Sequence, residues 1–99
     1  MDTIEDHIVH LPDWRRQTTV KFNGRVIRAT VERDFYAFQN RIYSEVWSDQ
    51  TASWNRVQTL AGAEYKDMPS AGSKDHDAIF QQTADVVDSM IDYAKAVLA

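Results

Sequence analysis

Cysteine is absent from this chain of 99 residues, and glycine and proline are scarce, with three and two copies. Without cysteine the chain forms no disulfide, no thiolate metal site and no cysteine nucleophile. No stretch approaches the roughly 20 consecutive apolar residues that a transmembrane helix needs. The first residues are acidic and lack the apolar segment of a secretory signal peptide. These absences predict a cytoplasmic protein that makes no membrane contact.

Sequence motifs of enzymes and of nucleotide-binding proteins are also missing. The sequence contains no GxSxG motif, no glycine-rich phosphate loop, no zinc finger and no RNP-like motif. A domain of this size also leaves little room for a deep pocket. We therefore expect no catalytic residues, no cofactor and a function that is not enzymatic.

The three histidines, His7, His10 and His76, are the remaining candidates for a metal site. His7 and His10 lie three residues apart with acidic neighbours, and imidazole and carboxylate groups are suitable zinc ligands. Their spacing, however, does not match HExxH or a similar zinc motif. We expect no metal ligands in this chain.

Hydrophobic residues make up 43% of the chain and charged residues 26%, which is typical of an ordinary globular protein. The length predicts a single domain over residues 1–99. The net charge of −4 is distributed unevenly, because residues 15–60 hold eight basic and four acidic residues while both ends are acidic. This asymmetry indicates either a binding surface or attraction between the ends and the middle of the chain.

The local composition predicts a sheet over about 15–60, a loop over about 61–74 and a C-terminal helix over about 75–98. The sheet region is rich in β-branched and aromatic residues. Ser73 or Asp75 can cap the helix, and Asp77 suits its first turn. Apolar residues at helical spacing predict its buried stripe: Phe80, Ala84, Val87, Ile91, Ala94 and Leu98, widened by Ile79, Met90 and Val97.

A short N-terminal helix is also predicted. Thr3 is a suitable N-cap, with acidic residues in the turn that follows it. Ile4, Ile8 and Leu11 fall on one helical face, and Pro12 ends the pattern.

Asn23-Gly24 predicts the first hairpin, because both residues tolerate the positive φ of a type I′ turn. The two-residue turn fixes the register, with Val20 opposite Ile27 and Arg15 opposite Glu32. The first pair lies on the face predicted to be the core, and the second pair lies on the face predicted to meet water. The apolar residues on the core face are Val20, Phe22, Ile27, Ala29 and Val31.

A second hairpin is predicted from Arg41–Ser48 and Ser53–Leu60. With Ser48 opposite Ser53, one face pairs Trp47 with Trp54, Glu45 with Arg56, and Tyr43 with Gln58. The aromatic pair and the charged pair are both favourable across strands. The other face carries Ile42, Ser44, Val46, Val57 and Thr59.

These elements predict an α+β fold, a four-stranded antiparallel β-meander with the C-terminal helix packed across one face. The opposite face then exposes aromatic rings bordered by basic residues. We call this surface the aromatic–arginine face, and it consists of Tyr43, Trp47 and Trp54 with Arg28, Arg41 and Arg56.

The aromatic–arginine face is the predicted partner-binding site, because Trp, Tyr and Arg dominate the energetics of protein interfaces. The partner is either another protein or a second copy of the chain, the latter giving a homodimer that hides the rings. Single-stranded nucleic acid is the alternative, since bases stack on rings while phosphates meet cations. Small accessory or host-modulating proteins share this small size, acidity and lack of motifs. This analogy is one of general type, and no matching residue supports it.

A second surface is the acidic ridge that Asp85, Asp88 and Asp92 form along one side of the predicted helix. Such a row of charges is typical of a solvated helix face. Docking to a basic partner is the other interpretation, and it predicts binding that weakens with salt.

Overall fold

The structure, a computed structural model, describes residues 2–9, 14–34, 39–61 and 74–99. This part of the chain consists of an antiparallel sheet of five strands and a C-terminal helix, so the predicted α+β class is confirmed and the predicted number of four strands is wrong. The strands lie side by side in chain order and precede the helix: β1 (Asp2–Val9), β2 (Trp14–Phe22), β3 (Arg25–Asp34), β4 (Gln39–Ser48), β5 (Ser53–Ala61) and α1 (His76–Leu98).

Strand β1 occupies the segment for which a short helix was predicted, so that prediction is wrong. β1 pairs antiparallel with β2, and Ile4 is an extra residue in a β-bulge between Thr3 and Glu5. The bulge interrupts the alternation of a strand and leaves a spacing that imitates a helical stripe. A helix this short is marginally stable by itself. As a strand, the segment forms its backbone hydrogen bonds with β2. Leu11 and Pro12 lie outside the described residues.

The first hairpin has the predicted turn and the predicted register. Asn23 and Gly24 have φ values of 49° and 76°, as a type I′ turn requires. Val20 pairs with Ile27, and both are fully buried. The predicted core face is therefore confirmed, with Phe22 partly buried at its margin.

The second hairpin follows the predicted register over its first half. Ser48 pairs with Ser53, and the predicted alignment continues as far as Glu45 opposite Arg56. Val57 is then an extra residue in β5 and forms a β-bulge, which shifts every later pair by one position.

The bulge reverses the predicted side of the residues that follow it. Tyr43 pairs with Thr59 instead of Gln58, and Gln58 pairs with the buried Ser44. Thr59 was predicted on the core face but is exposed beside Tyr43. The prediction failed because alternation was continued through a position where the strand inserts one residue.

Helix α1 packs across the inner face of the sheet and closes the core. Asp75 is its N-cap, with a carboxylate oxygen 3.1 Å from the backbone nitrogen of Ala78, and Asp77 lies in the first turn as predicted. In the last turn Leu98 packs against the core, while Val97, predicted in the stripe, is 55% exposed. The buried helix residues are Ile79, Thr83, Val86, Val87, Met90, Ile91 and Ala94.

A buried arginine joins strand β1 to the helix. Arg16 is 7% exposed and forms a two-pronged ion pair with Asp6, with Nη2–Oδ2 and Nε–Oδ1 distances of 2.9 and 3.1 Å. Its Nη1 donates to the Thr83 hydroxyl at 2.8 Å and to the Phe80 carbonyl at 3.2 Å. These bonds satisfy a charge that would otherwise be costly to bury, and they hold β1 against the core.

The predicted loop over 61–74 lies mostly outside the described residues, which end at Ala61 and resume at Lys74. The domain extent of 1–99 stays a prediction. No helix in the described part of the chain combines the length and the apolar content that crossing a membrane requires.

Candidate functional site

The aromatic–arginine face lies on the side of the sheet that faces away from α1. Cross-strand pairing places Trp47, Glu45 and Tyr43 on this outer side of β4, since their neighbours Ile42 and Val46 point into the core. Among the described elements, none packs across the outer side. The sheet therefore holds the six predicted site residues on one surface.

Trp47 and Trp54 form the aromatic centre of this face. They are direct cross-strand partners, as predicted, and their rings meet edge to face with centroids 5.5 Å apart and an angle of 68°. The Trp47 indole nitrogen donates to the Asp49 carboxylate at 2.9 Å, which fixes the orientation of this ring. Edge-to-face packing is a favoured geometry for aromatic pairs, so the two rings are preorganised.

Arg28 on β3 reaches across β4 and covers the ring of Trp54 on β5. Its guanidinium carbon lies 4.0 Å from the centroid of the indole, within the range of a cation–π contact. Its Nη2 also donates to Glu45 at 2.9 Å. The positive charge of Arg28 is thus already balanced by a carboxylate of the same face.

Arg56 covers Tyr43 in a similar way but has a different set of partners. Its guanidinium carbon lies 3.9 Å from the ring centroid, and its Nη1 donates to the Thr59 hydroxyl at 2.8 Å. The predicted charge pair with Glu45 is not formed, because that carboxylate binds Arg28 instead. Within the described part of the chain, no carboxylate lies at ion-pair distance from Arg56.

Glu32 organises the other end of the face. Its carboxylate forms an ion pair with Arg15 at 2.8 Å, as predicted, and a second ion pair with Arg41 at 3.4 Å. The Tyr43 hydroxyl donates to the same carboxylate at 3.1 Å. Burial, together with the negative charge of Glu32, raises the pKa of Tyr43 above its ordinary value, so the phenol stays protonated.

The three rings are only partly exposed, because they pack on each other and lie under arginine side chains. The large apolar side chains that are most exposed in the described residues are elsewhere: Ile4, Tyr93 and Val97. The face is consequently a mixed surface of ring edges and guanidinium groups, and it differs from a wide apolar patch. Such a composition is common at the centre of protein interfaces.

A groove between the two hairpin turns continues the face at one end of the sheet. Its volume is about 560 Å³, and Trp47 belongs to both the groove and the face. Val26 and the Trp47 ring give it an apolar side, while polar residues from both turns provide the rest of its lining: Arg25, Ser48, Asp49, Gln50 and Asn55.

The acidic ridge is on the opposite side of the molecule from the aromatic–arginine face. Asp85, Asp88 and Asp92 are all exposed on α1, as predicted. Among the described residues, no group of three acidic or histidine side chains is arranged to hold a metal ion. His10 lies outside these residues.

The sequence did not suggest three features of this surface. They are the contacts of Glu32 with three partners, the groove, and the lack of an ion pair between Arg56 and Glu45 in the described structure. The alternation of residues could have placed Glu32 beside Arg41 once the pairing of β3 with β4 was considered. The position of Arg56 depends on side-chain rotamers and on the bulge, which alternation does not predict.

Comparison of the chain with protein-family models, with curated proteins and with solved structures finds no match, so its function has to be inferred from the geometry of this face.

Proposed function

We propose that the protein is a small non-catalytic binding module that contacts a protein partner through the aromatic–arginine face. The observation that carries this proposal is the preassembled stack of Arg28, Trp54 and Trp47 on a sheet face that no described element covers. Trp, Tyr and Arg are the residues most enriched among interface hot spots, and here they are adjacent.

Preorganisation supports the same conclusion on energetic grounds. Binding normally immobilises flexible side chains at a cost of about 0.5–1.5 kcal/mol each. Arg28 is already held by Trp54 and Glu45, and Trp47 by its bond to Asp49. A partner that docks here would not have to order these groups, and the ring edges would supply the apolar contact area.

The experiment that tests the proposal compares complexes formed by the full chain and by two variants. Affinity purification after cross-linking should recover the same partner with wild type and with Tyr93→Ala, which removes an exposed ring from α1 on the other side of the molecule. The folded Trp47→Ala/Trp54→Ala variant should lose that partner. Retention of every complex by the double variant, with a native circular dichroism spectrum, would refute the proposal.

Two further predictions about partners remain. Light scattering across a range of concentrations distinguishes a monomer from the predicted homodimer, in which the face would close on a second copy. Single-stranded nucleic acid is the alternative ligand, favoured by the excess of basic over acidic residues in 15–60.

A cytoplasmic location and an accessory or host-modulating role are also predictions, drawn from the sequence alone.

A further inference from the structure

We infer that the partner presents a carboxylate to Arg56, so that this face recognises an acidic protein segment; the inference rests on the proposed function. Arg56 is exposed, and its guanidinium is held over the Tyr43 ring at 3.9 Å and bonded to Thr59 at 2.8 Å. A guanidinium has five N–H donors in a planar fork that matches a carboxylate. One donor is used by Thr59, which leaves most of the fork available to a ligand.

Arg28 shows how a guanidinium that lies over an aromatic ring of this face binds a carboxylate. Arg28 also lies over an aromatic ring, and its Nη2 donates to the Glu45 carboxylate at 2.9 Å. Arg56 has the ring and the positioning hydroxyl, yet within the described residues it has no carboxylate at ion-pair distance. A carboxylate from outside the described fold would give Arg56 an ion pair like the one that Arg28 forms with Glu45.

The charges of the face favour an acidic partner over a twofold dimer through this face. A second copy would meet the face with Glu32 and Glu45, and both carboxylates already bind arginines of their own chain. A symmetric contact would therefore place Arg56 against a surface whose acidic groups are taken, and it would bring like charges together. A partner with unpaired carboxylates has no such conflict.

The same geometry favours a protein segment over single-stranded nucleic acid. Bases bind such surfaces by stacking on open ring faces. Here Arg56 lies on Tyr43 and Arg28 lies on Trp54, so a base would first have to displace a guanidinium. Glu32 and Glu45 also lie among the arginines, so a strand that lays successive phosphates across the face meets more repulsion than a segment that brings one carboxylate to Arg56.

The groove beside Trp47 gives the partner segment a second anchor. It begins at Trp47 and has Val26 in its lining, so an apolar side chain next to the acidic residue can enter it. The inferred ligand is thus an acidic segment that also carries a large apolar residue. Its carboxylate would determine orientation at Arg56, and its apolar side chain would bury area at Trp47.

The test selects peptides from a random twelve-residue library on the wild-type chain and then measures the affinity of resynthesised peptides. We expect enrichment in Asp and Glu, and we expect Arg56→Gln to weaken binding about tenfold or more, since charge-assisted two-pronged bonds are strong. Replacing the acidic residues of the peptide by amides should weaken binding to a similar degree. Raising the salt concentration should also weaken it.

Lys21→Gln is the matched control for the loss of one positive charge. Lys21 is exposed on the same side of the sheet but lies on β2, three strands from Arg56, roughly 14 Å away by the spacing of strands. Its replacement should change the affinity by no more than about twofold, because distant surface charges are screened. An equal effect of both substitutions would overturn the inference in favour of a general charge effect.

The remaining outcomes separate this inference from the proposed function. Peptides that require Trp47 but lack acidic residues, and that ignore Arg56→Gln, would overturn the inference and leave the proposed function standing. Selection of no peptide that depends on Trp47 would overturn both. A dimer that Arg56→Gln dissociates, or tighter Arg56-dependent binding of labelled single-stranded DNA or RNA, would replace the acidic protein segment by a second copy or by nucleic acid.

Discussion

Arg16 illustrates how a single buried residue connects separate elements of this fold, because it bonds both β1 and α1. It lies on the helix-facing side of β2, where apolar residues are expected, yet Asp6, Thr83 and the Phe80 carbonyl satisfy its guanidinium. Removing one member of a buried ion pair leaves the other charge poorly solvated, so the cost exceeds that of a surface bond. The Asp6 side chain is 28% exposed, and water can offset part of this cost.

Arg16→Met is therefore expected to lower the free energy of unfolding by about 2–3 kcal/mol. Urea denaturation of the variant measures this loss. Arg25→Gln is the control, since Arg25 is exposed at the hairpin turn and its replacement should change stability by less than about 0.5 kcal/mol. Equal denaturation midpoints for the two variants would contradict the structural role of Arg16.

Tyr43 makes the stability of the fold depend on pH in the alkaline range. In the unfolded chain its phenol titrates near pH 10, and in the folded chain its pKa is raised by burial and by Glu32. The protonated phenol is therefore favoured by folding. Its contribution to stability is fully present below about pH 10 and is lost as the pH rises through the folded pKa.

Comparison of wild type with Tyr43→Phe isolates this contribution from that of other groups that titrate at alkaline pH. At neutral pH the variant should be about 1 kcal/mol less stable, because it loses the hydrogen bond to Glu32. Above pH 10 the difference in the free energy of unfolding should narrow. If the difference in the free energy of unfolding between wild type and the variant stays constant from pH 9 to about pH 11, the effect is disproved.

At the scale of single elements, the turn of the first hairpin depends on one backbone conformation. Gly24 has φ of 76°, and a Cβ added there would meet no atom within 4 Å. Gly24→Ala should therefore cost about 1 kcal/mol through backbone strain alone.

Asn23→Gly is the matched comparison for that substitution. Asn23 also has positive φ, at 49°, so a glycine there relieves strain and should leave stability within about 0.5 kcal/mol of wild type. Thermal denaturation of the two variants should rank Gly24→Ala clearly below Asn23→Gly. The reverse order would show that the turn is not of type I′.

The acidic ridge affects the stability of α1. Asp85 and Asp88 are three residues apart, and Asp88 and Asp92 are four apart, so like charges face each other along the helix. Replacing all three by asparagine should raise the free energy of unfolding by about 0.5 kcal/mol at low salt. The gain should disappear near 1 M salt, where the repulsion is screened. A loss of stability at low salt would mean that these carboxylates make stabilising contacts.

The sequence was informative where local chemistry determines geometry and uninformative where distant residues do. Asn23-Gly24 defines its turn by backbone preference, so the whole register of the first hairpin was predictable. The register of the second hairpin was correct only up to Arg56, because the bulge at Val57 has no residue such as glycine to indicate it. β1 was missed because its pairing depends on β2 and on the bond that Arg16 donates to Asp6.

The candidate site was predictable in its membership but not in its bonding. Alternation placed Trp47, Trp54 and Tyr43 on one face, and the structure has them there. Alternation gives no information about which arginine binds Glu45 or covers which ring, since that choice depends on rotamers of long side chains. The inference about Arg56 therefore required the structure.

Considered as a whole molecule, the helix and the sheet share a single core. The buried cluster includes Ile27 and Ile42 from the sheet and Val87 and Ile91 from α1. Neither part can bury its apolar face without the other, so unfolding should be a single cooperative transition. Helical circular dichroism and tryptophan fluorescence should then give coincident urea curves. Separate midpoints would argue against the predicted single domain.

The two bulges have a consequence for solubility at high concentration. Both extra residues, Ile4 in β1 and Val57 in β5, lie in the outermost strands of the described sheet, while the pairing of β2 with β3 and of β3 with β4 is regular. A flat and regular edge strand is a template on which other chains can add, as in fibrils. A bulge twists the edge strand and interrupts the regular backbone hydrogen-bond pattern that an incoming strand would need. The irregularities thus oppose polymerisation at both borders of the described sheet.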